Sequence, residues 1–395
     1  MTETMIRPIP PRMIWFSVAA IISSGCIPSS TPPPNTPSPS CATSLKWTEH
    51  PAGAPLKTTS GDPIGGGDPS VLFDEGIYKM WRTRFVDGVL GTAYAESDDG
   101  LTWKPLTDAE GNKRLVLTPT PGAWDRNGIE TVTVVFKDDR YWLWYLGYPN
   151  SIPEGEGRTD AIGLATSTDG VTWTKKPEPV LVPELPWEQP FQRVVNENGQ
   201  DVTIWEGGLE EPSVIWDETA GVFKMWYAAK FYEDILDSGR PFVGFRIGYA
   251  TSPDGINWTK NPTPVFEPTA TLGTFDPVST SHTNVLKDPQ FGYHLFYAGG
   301  GAIDSIGHAF STDGLNWQRD SGNPIIAGQT SVDEPQDILI KGDFDQAVGG
   351  PASLLEDGDI YLYYMRSEPG RRNFGGNNTL GLYSATCDSS GSTPP

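Results

Sequence analysis

Four acidic residues stand just ahead of strongly apolar stretches in this 395-residue chain: Asp68 in GGGDPSVLF, Glu130 in IETVTVVF, and the adjacent Glu210 and Glu211 in GLEEPSVIW. His282 holds a similar place in SHTNVLK. Carboxyls gathered in pairs suit the hydrolysis of a glycosidic bond. One carboxylic acid protonates the leaving oxygen while a second acts as base or nucleophile. Asp68, Glu130, Glu210 and Asp125 are the candidate working carboxyls, and Glu211 a candidate substrate contact. The chain contains no phosphate-binding loop, no Cys or His cluster with zinc spacing, and no Gly-x-Ser-x-Gly. Residues this far apart in sequence can act together only if the fold brings their strands to one place.

A repeat specifies those strands. SDDGLTW (97–103), STDGVTW (167–173), SPDGINW (252–258) and STDGLNW (311–317) are variants of Ser-x-Asp-Gly-x-x-Trp. Each follows a short strand such as IGLATS or IGYATS and precedes a Pro-flanked apolar segment (LVLTP, PVLVP, PVFEP, NPIIA), so Asp-Gly marks a hairpin turn. Upstream of each lies an aromatic strand, YKMWRTRF, YWLWYLG, FKMWYAA or YHLFYAGG, and a fifth, YLYYMRS, starts at Tyr361. Another apolar strand precedes each aromatic one. The repeating unit is a four-stranded antiparallel meander, which predicts an all-β, five-bladed β-propeller. The fifth unit lacks an outer strand after LGLYSA. SLKWTEHPAGAPL (44–56) supplies the missing piece, so the strand around Trp47 is expected to join the last blade and close the ring.

The first strand of every propeller blade lines the central channel. Aligning the units places Asp68, Thr131, Glu211, His282 and Pro351 at equivalent positions, with Glu130 and Glu210 one step earlier. A one-residue bulge would turn Glu130 inward. A second acidic series, Asp62, Asp125, Glu206, Asp276 and Asp345, recurs in all five units and is therefore expected to be architectural, with Asp125 also a substrate contact. Arg82 and Arg84 break the repeat, as do Arg126, Lys230, Arg366, Arg371 and Arg372 near the same face; arginines there can hold sugar hydroxyls or a carboxylate. Trp124 and Trp205 are expected to stack on sugar faces. His294 and His308 lie within strands and are expected to pack.

With these residues in place, the chain resembles the five-bladed glycosidases of families 43, 32 and 68. The resemblance rests on a blade-one Asp-Pro (Asp68, Pro69), a blade-three Glu-x-Pro (Glu210, Pro212) and a blade-four channel histidine (His282). It implies Asp68 as the base, Glu210 as the acid and Glu130 or Asp125 as the auxiliary carboxylate, and no required cofactor, with a structural calcium ion near His282 as the one metal it would bring. The second-blade Asp of those families falls at Thr131 or Thr133, which keeps open an alternative, a non-catalytic glycan-binding propeller. The turn motif is also similar to the Asp box of sialidases, but each copy is one residue shorter.

The balance of 50 acidic against 28 basic residues, net −22, repels nucleic acid and anionic lipid and favours a neutral ligand. The expected partner is an oligo- or polysaccharide, and the expected state a monomer. Residues 1–25 read as a signal peptide ending in Ser23-Ser24-Gly25 before Cys26, similar to a lipoprotein signal, so Cys26 is the expected lipidation site. Residues 27–40, almost all Pro, Ser and Thr, read as a tether, 41–388 as the propeller and 389–395 as a disordered tail. The expected location is the outer membrane or cell surface, or otherwise the periplasm or medium. Cys41 and Cys387 flank the propeller and are expected to form a disulfide.

Overall fold

Strands make up nearly all the regular structure. The computed structural model describes residues 45–50, 55–149, 158–197, 200–239, 241–300, 305–328, 347–356, 358–367 and 378–386. Among these there is one 3-10 turn, Pro186–Glu188, and no α-helix. Cys26, Cys41, Cys387, Asp345, Arg371, Arg372, the signal peptide, the Pro-rich tether and the tail lie outside the described residues.

Among the described residues the strands form four sheets in which five antiparallel meanders can be traced, the second and third joined by a short parallel pairing of Arg158–Asp160 with Glu206–Gly208. The first runs Gly67–Asp74, Ile77–Val86, Val89–Ser97, Thr102–Pro105, and the second Gly128–Lys137, Arg140–Tyr148, Arg158–Ser167, Thr174–Lys175. The third runs Gln200–Asp217, Val222–Glu233, Phe242–Ser252, Thr259–Lys260, and the fourth Ser279–Asp288, Gly292–Gly300, Ser305–Ser311, Gln318–Arg319. The fifth comprises Val348–Glu356, Asp359–Arg366 and Thr379–Thr386, and its outer strand is Lys46–His50 from the other end of the chain, with Trp47 opposite Ala385. Three of the Pro-flanked segments expected to be strands return to the sheet only as single bridges, Ile162 to Leu181, Ile247 to Phe266 and Ile306 to Ile326. Proline offers no N–H with which to extend a ladder.

Five apolar clusters hold the meanders together, one between each consecutive pair and one between the fifth and the first. Large aromatics on the second strands dominate them. Trp81, Trp144 and Trp226 are fully buried, and each indole N–H donates to the carbonyl of the turn glycine in the next meander: Gly170, Gly255 and Gly314, at 2.7, 3.0 and 2.8 Å. From the fifth meander the Tyr363 hydroxyl donates to Gly100 of the first. These glycines have φ between 69° and 77°, and a Cβ on Gly314 would lie 2.8 Å from the Trp226 ring. Each turn therefore needs glycine both for its backbone and for the contact it receives. Beside it the aspartate accepts two backbone N–H bonds, as Asp254 does from Ile256 and Asn257 at 2.9 and 2.8 Å. The repeated Asp-Gly is a seam between neighbouring sheets.

Candidate active site

The five first strands pack on one another in sequence, and the fifth packs back on the first. Each carries a register shift at the same place: Gly67/Ser70, Glu130/Val132, Glu210/Ser213, Ser281/Asn284 and Gly349/Ala352. At each shift one residue takes the left-handed conformation. These residues are Asp68 (φ 43°), Thr131 (35°), Glu211 (56°), His282 (48°) and Gly350 (54°). The fifth equivalent position is thus Gly350, one residue before Pro351, in register with Asp68-Pro69 and Glu211-Pro212. Four non-glycine residues in this region each cost about 1–2 kcal/mol, strain that the surrounding ladders sustain. Gly350 also makes room: a Cβ there would lie 2.6 Å from Asp68 Oδ1.

These bulges bring together residues that are widely separated in the sequence. His282 Nε2 lies 3.5 Å from Asp68 Oδ1, and its Nδ1 lies 3.6 Å from Glu211 Oε1. The backbone N–H of His282 donates to Glu211 Oε2. Burial raises the Asp68 pKa, partly offset by His282 and by a hydrogen bond from Thr83. Burial also pushes Glu211 up to about 7; the charges of Glu210 and Asp68 add to the rise, and His282 opposes it. The void among these strands is lined by Asp68, Thr131, Pro212, His282 and Gly350 and holds about 20 Å³, enough for about one water. At the opposite ends of the same strands a wider cavity of about 530 Å³ has apolar walls such as Val71, Val134, Ile215 and Leu286.

One residue before the bulge, the side chains meet different partners. Glu210 Oε1 lies 2.6 Å from Lys230 Nζ, and this buried lysine is also 3.5 Å from Asp160 Oδ2 and from Glu206 Oε1. Burial works against the ionised form of Glu206, but Lys230 and Arg193 hold its pKa below the usual range. In the second meander Glu130 takes the register of Glu210 and accepts a hydrogen bond from Tyr148, which lies near the place of Lys230. The bulge there presents Thr131 and leaves Glu130 with Tyr148.

The second acidic series is built into the sheets. Asp125 accepts from the Tyr145 hydroxyl at 3.1 Å and from Lys175 at 2.6 Å, and Asp276 accepts from Tyr297 at 3.0 Å and Arg319 at 2.8 Å. In the third meander this role belongs to Glu188, with Tyr227 and Lys260 both at 2.6 Å, while Glu206 joins the Lys230 cluster. The signal for Glu188 was present in the sequence: Trp187-Glu188 repeats the aromatic-acid pairs Trp124-Asp125 and Phe275-Asp276. Trp124 stacks on Tyr145 with rings 5.7 Å apart, as Trp187 does on Tyr227 at 6.3 Å. Trp205 is 50% exposed. In the fifth meander Glu49 accepts from Tyr364 and Arg366. The first meander is the exception, with Arg82 in the tyrosine's place. His294 and His308 are buried within the fourth meander, and burial, then the charge of His308, pushes His294 down to about 3. Among the described residues no three His, Cys, Asp or Glu side chains are arranged to hold a metal ion.

No protein-family model and no curated protein sequence matches this chain. Solved structures do. A complex of BT0996 with RGII is 20% identical, over 84% of this chain and 92% of that one, with a TM-score of 0.56. Zg3597, a family 117 glycoside hydrolase from the marine bacterium Zobellia galactanivorans, is 15% identical over 89% and 94%, TM-score 0.55. A structure from the GH130 family of mannoside phosphorylases, a family that contains glycoside hydrolases targeting β-1,2 mannosidic linkages in Candida mannan, is 17% identical over 82% and 86%, TM-score 0.51. At these identities the likeness establishes a shared fold.

Proposed function

We propose that this protein is a five-bladed β-propeller, closed by the strand around Trp47, that hydrolyses glycosidic bonds in an oligo- or polysaccharide. The observation that carries the reading is the convergence of Asp68 and Glu211 on His282 at left-handed bulges, within a fold shared with glycoside hydrolases. Asp68 is the base. Of the adjacent glutamates, Glu211 is the proton donor, because its carboxyl stays protonated up to about 7. Glu210, beside Lys230, is the ionised member whose charge helps keep that proton in place. His282 positions both working carboxyls.

The test is turnover of a panel of nitrophenyl glycosides and polysaccharides by the intact protein and by Asp68→Asn, Glu211→Gln and Glu210→Gln. Glu211→Gln should lower turnover by about 10²–10⁴-fold. Glu210→Gln should retain part of it, with the alkaline limb of the pH profile moved to lower pH. Full activity in Glu211→Gln would reject the assignment. Thr131, standing where a third hub carboxylate is expected, favours the second reading of glycan binding without hydrolysis, which saturable binding with no turnover would establish. An exported, lipid-tethered location is supported by the apolar run 13–22 before Cys26. Fatty-acid labelling that Cys26→Ser abolishes would check it, and mass spectrometry would test the Cys41–Cys387 bond.

A further inference from the structure

The first meander departs from the other four at one set of positions. In the second to fifth, the residue after the large aromatic of the second strand is a tyrosine, Tyr145, Tyr227, Tyr297 or Tyr364. Its hydroxyl donates to an acid that also holds a cation: Asp125 with Lys175, Glu188 with Lys260, Asp276 with Arg319, Glu49 with Arg366. In the first meander the tyrosine's place is taken by Arg82. Asp62, the acid expected from the repeat, is exposed and accepts from Ser60. Among the described residues the positive charge is therefore present without its carboxylate.

Arg84 doubles the imbalance. Arg82 Nε and Arg84 Nη1 both donate to one acceptor, the Gly65 carbonyl oxygen, at 2.8 and 2.5 Å. A neutral carbonyl cannot balance two guanidinium charges. Arg82 is 2% exposed, and its Nη1 is buried with no hydrogen-bond partner among the described residues. Burial, then the Arg84 charge, pushes the Arg82 pKa down to about 9. Elsewhere, buried Lys230 and the half-buried cations Lys175, Lys224, Lys260 and Arg319 each face a carboxylate. Leaving a buried charge unpaired is costly, and a guanidinium pair is well shaped to take both oxygens of a carboxylate. The pair also adjoins the hub: Thr83, between the two arginines, donates to Asp68, and Thr83 and Arg84 line one small void with Gly66, Gly67 and Asn378.

We infer that Arg82 and Arg84 form a subsite for the carboxylate of an acidic sugar, so that the glycan bound beside Asp68 carries uronic acid. This rests on the hydrolase reading for its substrate class and modifies the expectation of a neutral ligand. Although the protein is acidic overall, exposed charges farther than about 8 Å are largely screened at physiological salt, leaving the local pair to set the preference.

Calorimetric melting of the intact protein with D-galacturonate or D-glucuronate, against D-galactose or D-glucose at equal ionic strength, tests the subsite without requiring turnover. Uronates should raise Tm and neutral sugars should not. In Arg82→Met and in the milder Arg84→Gln the uronate shift should disappear, and acidic oligosaccharides should bind about 30-fold more weakly or worse, while neutral ones are unaffected. If Arg82→Met does not fold, Arg84→Gln on the more exposed arm decides. Equal shifts with inorganic sulfate or phosphate would reassign the pair to free oxyanions and overturn the acidic-sugar assignment, as would an unchanged uronate response in both variants. Uronate binding without hydrolysis would keep this subsite and reject the hydrolase. Hydrolysis of neutral glycans with no uronate effect would do the reverse.

Discussion

Carboxylates at the turns and carboxylates at the hub are the same functional group with proton affinities shifted in opposite directions. At the turns, Asp254 and Asp313 lie well below the usual range, chiefly because backbone N–H groups of Asn257 and Asn316 donate to them while solvent remains close. At the hub, burial raises Asp68 and Glu211, and the charges crowded around Glu211 raise it further. Fixed N–H donors favour the ionised form, and removal from water penalises it. The contrast separates a carboxylate that holds a turn from one able to move a proton near neutral pH.

The largest expected effect is on activity. Asp68→Asn and Glu211→Gln should each lower kcat/KM on a cleaved glycoside by about 10²–10⁴-fold, whereas Asp254→Ala should leave it unchanged. Similar losses at both places would erase the distinction. Next, Trp226→Ala removes a buried indole and its bond to Gly314, and urea denaturation should show a loss of about 3–5 kcal/mol. Glu211→Gln should also change how stability depends on pH. Because the folded pKa of about 7 exceeds the ordinary 4.5, the native protein binds the extra proton, and the associated stability is full below about 4.5 and lost as pH rises through 7. The wild type should therefore lose up to about 3 kcal/mol relative to the glutamine variant between pH 4.5 and 8, and parallel curves would contradict the raised pKa. The smallest effect belongs to the turn: Asp254→Ala should cost about 1 kcal/mol in the same denaturation experiment.

Much of the fold was legible because its signals are local. Gly at a positive-φ turn, Asp two and three residues before the N–H groups that donate to it, and alternating aromatics on the second strands each announce themselves within a few residues. The site was legible only to the level of strands. Spacing brought Asp68, Glu211 and His282 into one set, but a bulge moves every later side chain to the other face, and nothing local distinguishes Glu210 from Glu211. The insertion before the third meander likewise disguised Glu188, since counting back from the strand lands on Glu206 instead.

The order of residues alone determined the repeating meander and its turns, because these arise from contacts a few positions apart and recur often enough to be recognised, whereas the seams, such as Trp81 on Gly170, join residues far apart in the chain. Only the tertiary structure decided which carboxyl faces His282, which pairs with Lys230, and that Arg82 and Arg84 share one carbonyl. Proton affinity and charge balance depend on burial and on neighbours brought together from different sheets, and those distances do not exist until the first strands pack against one another.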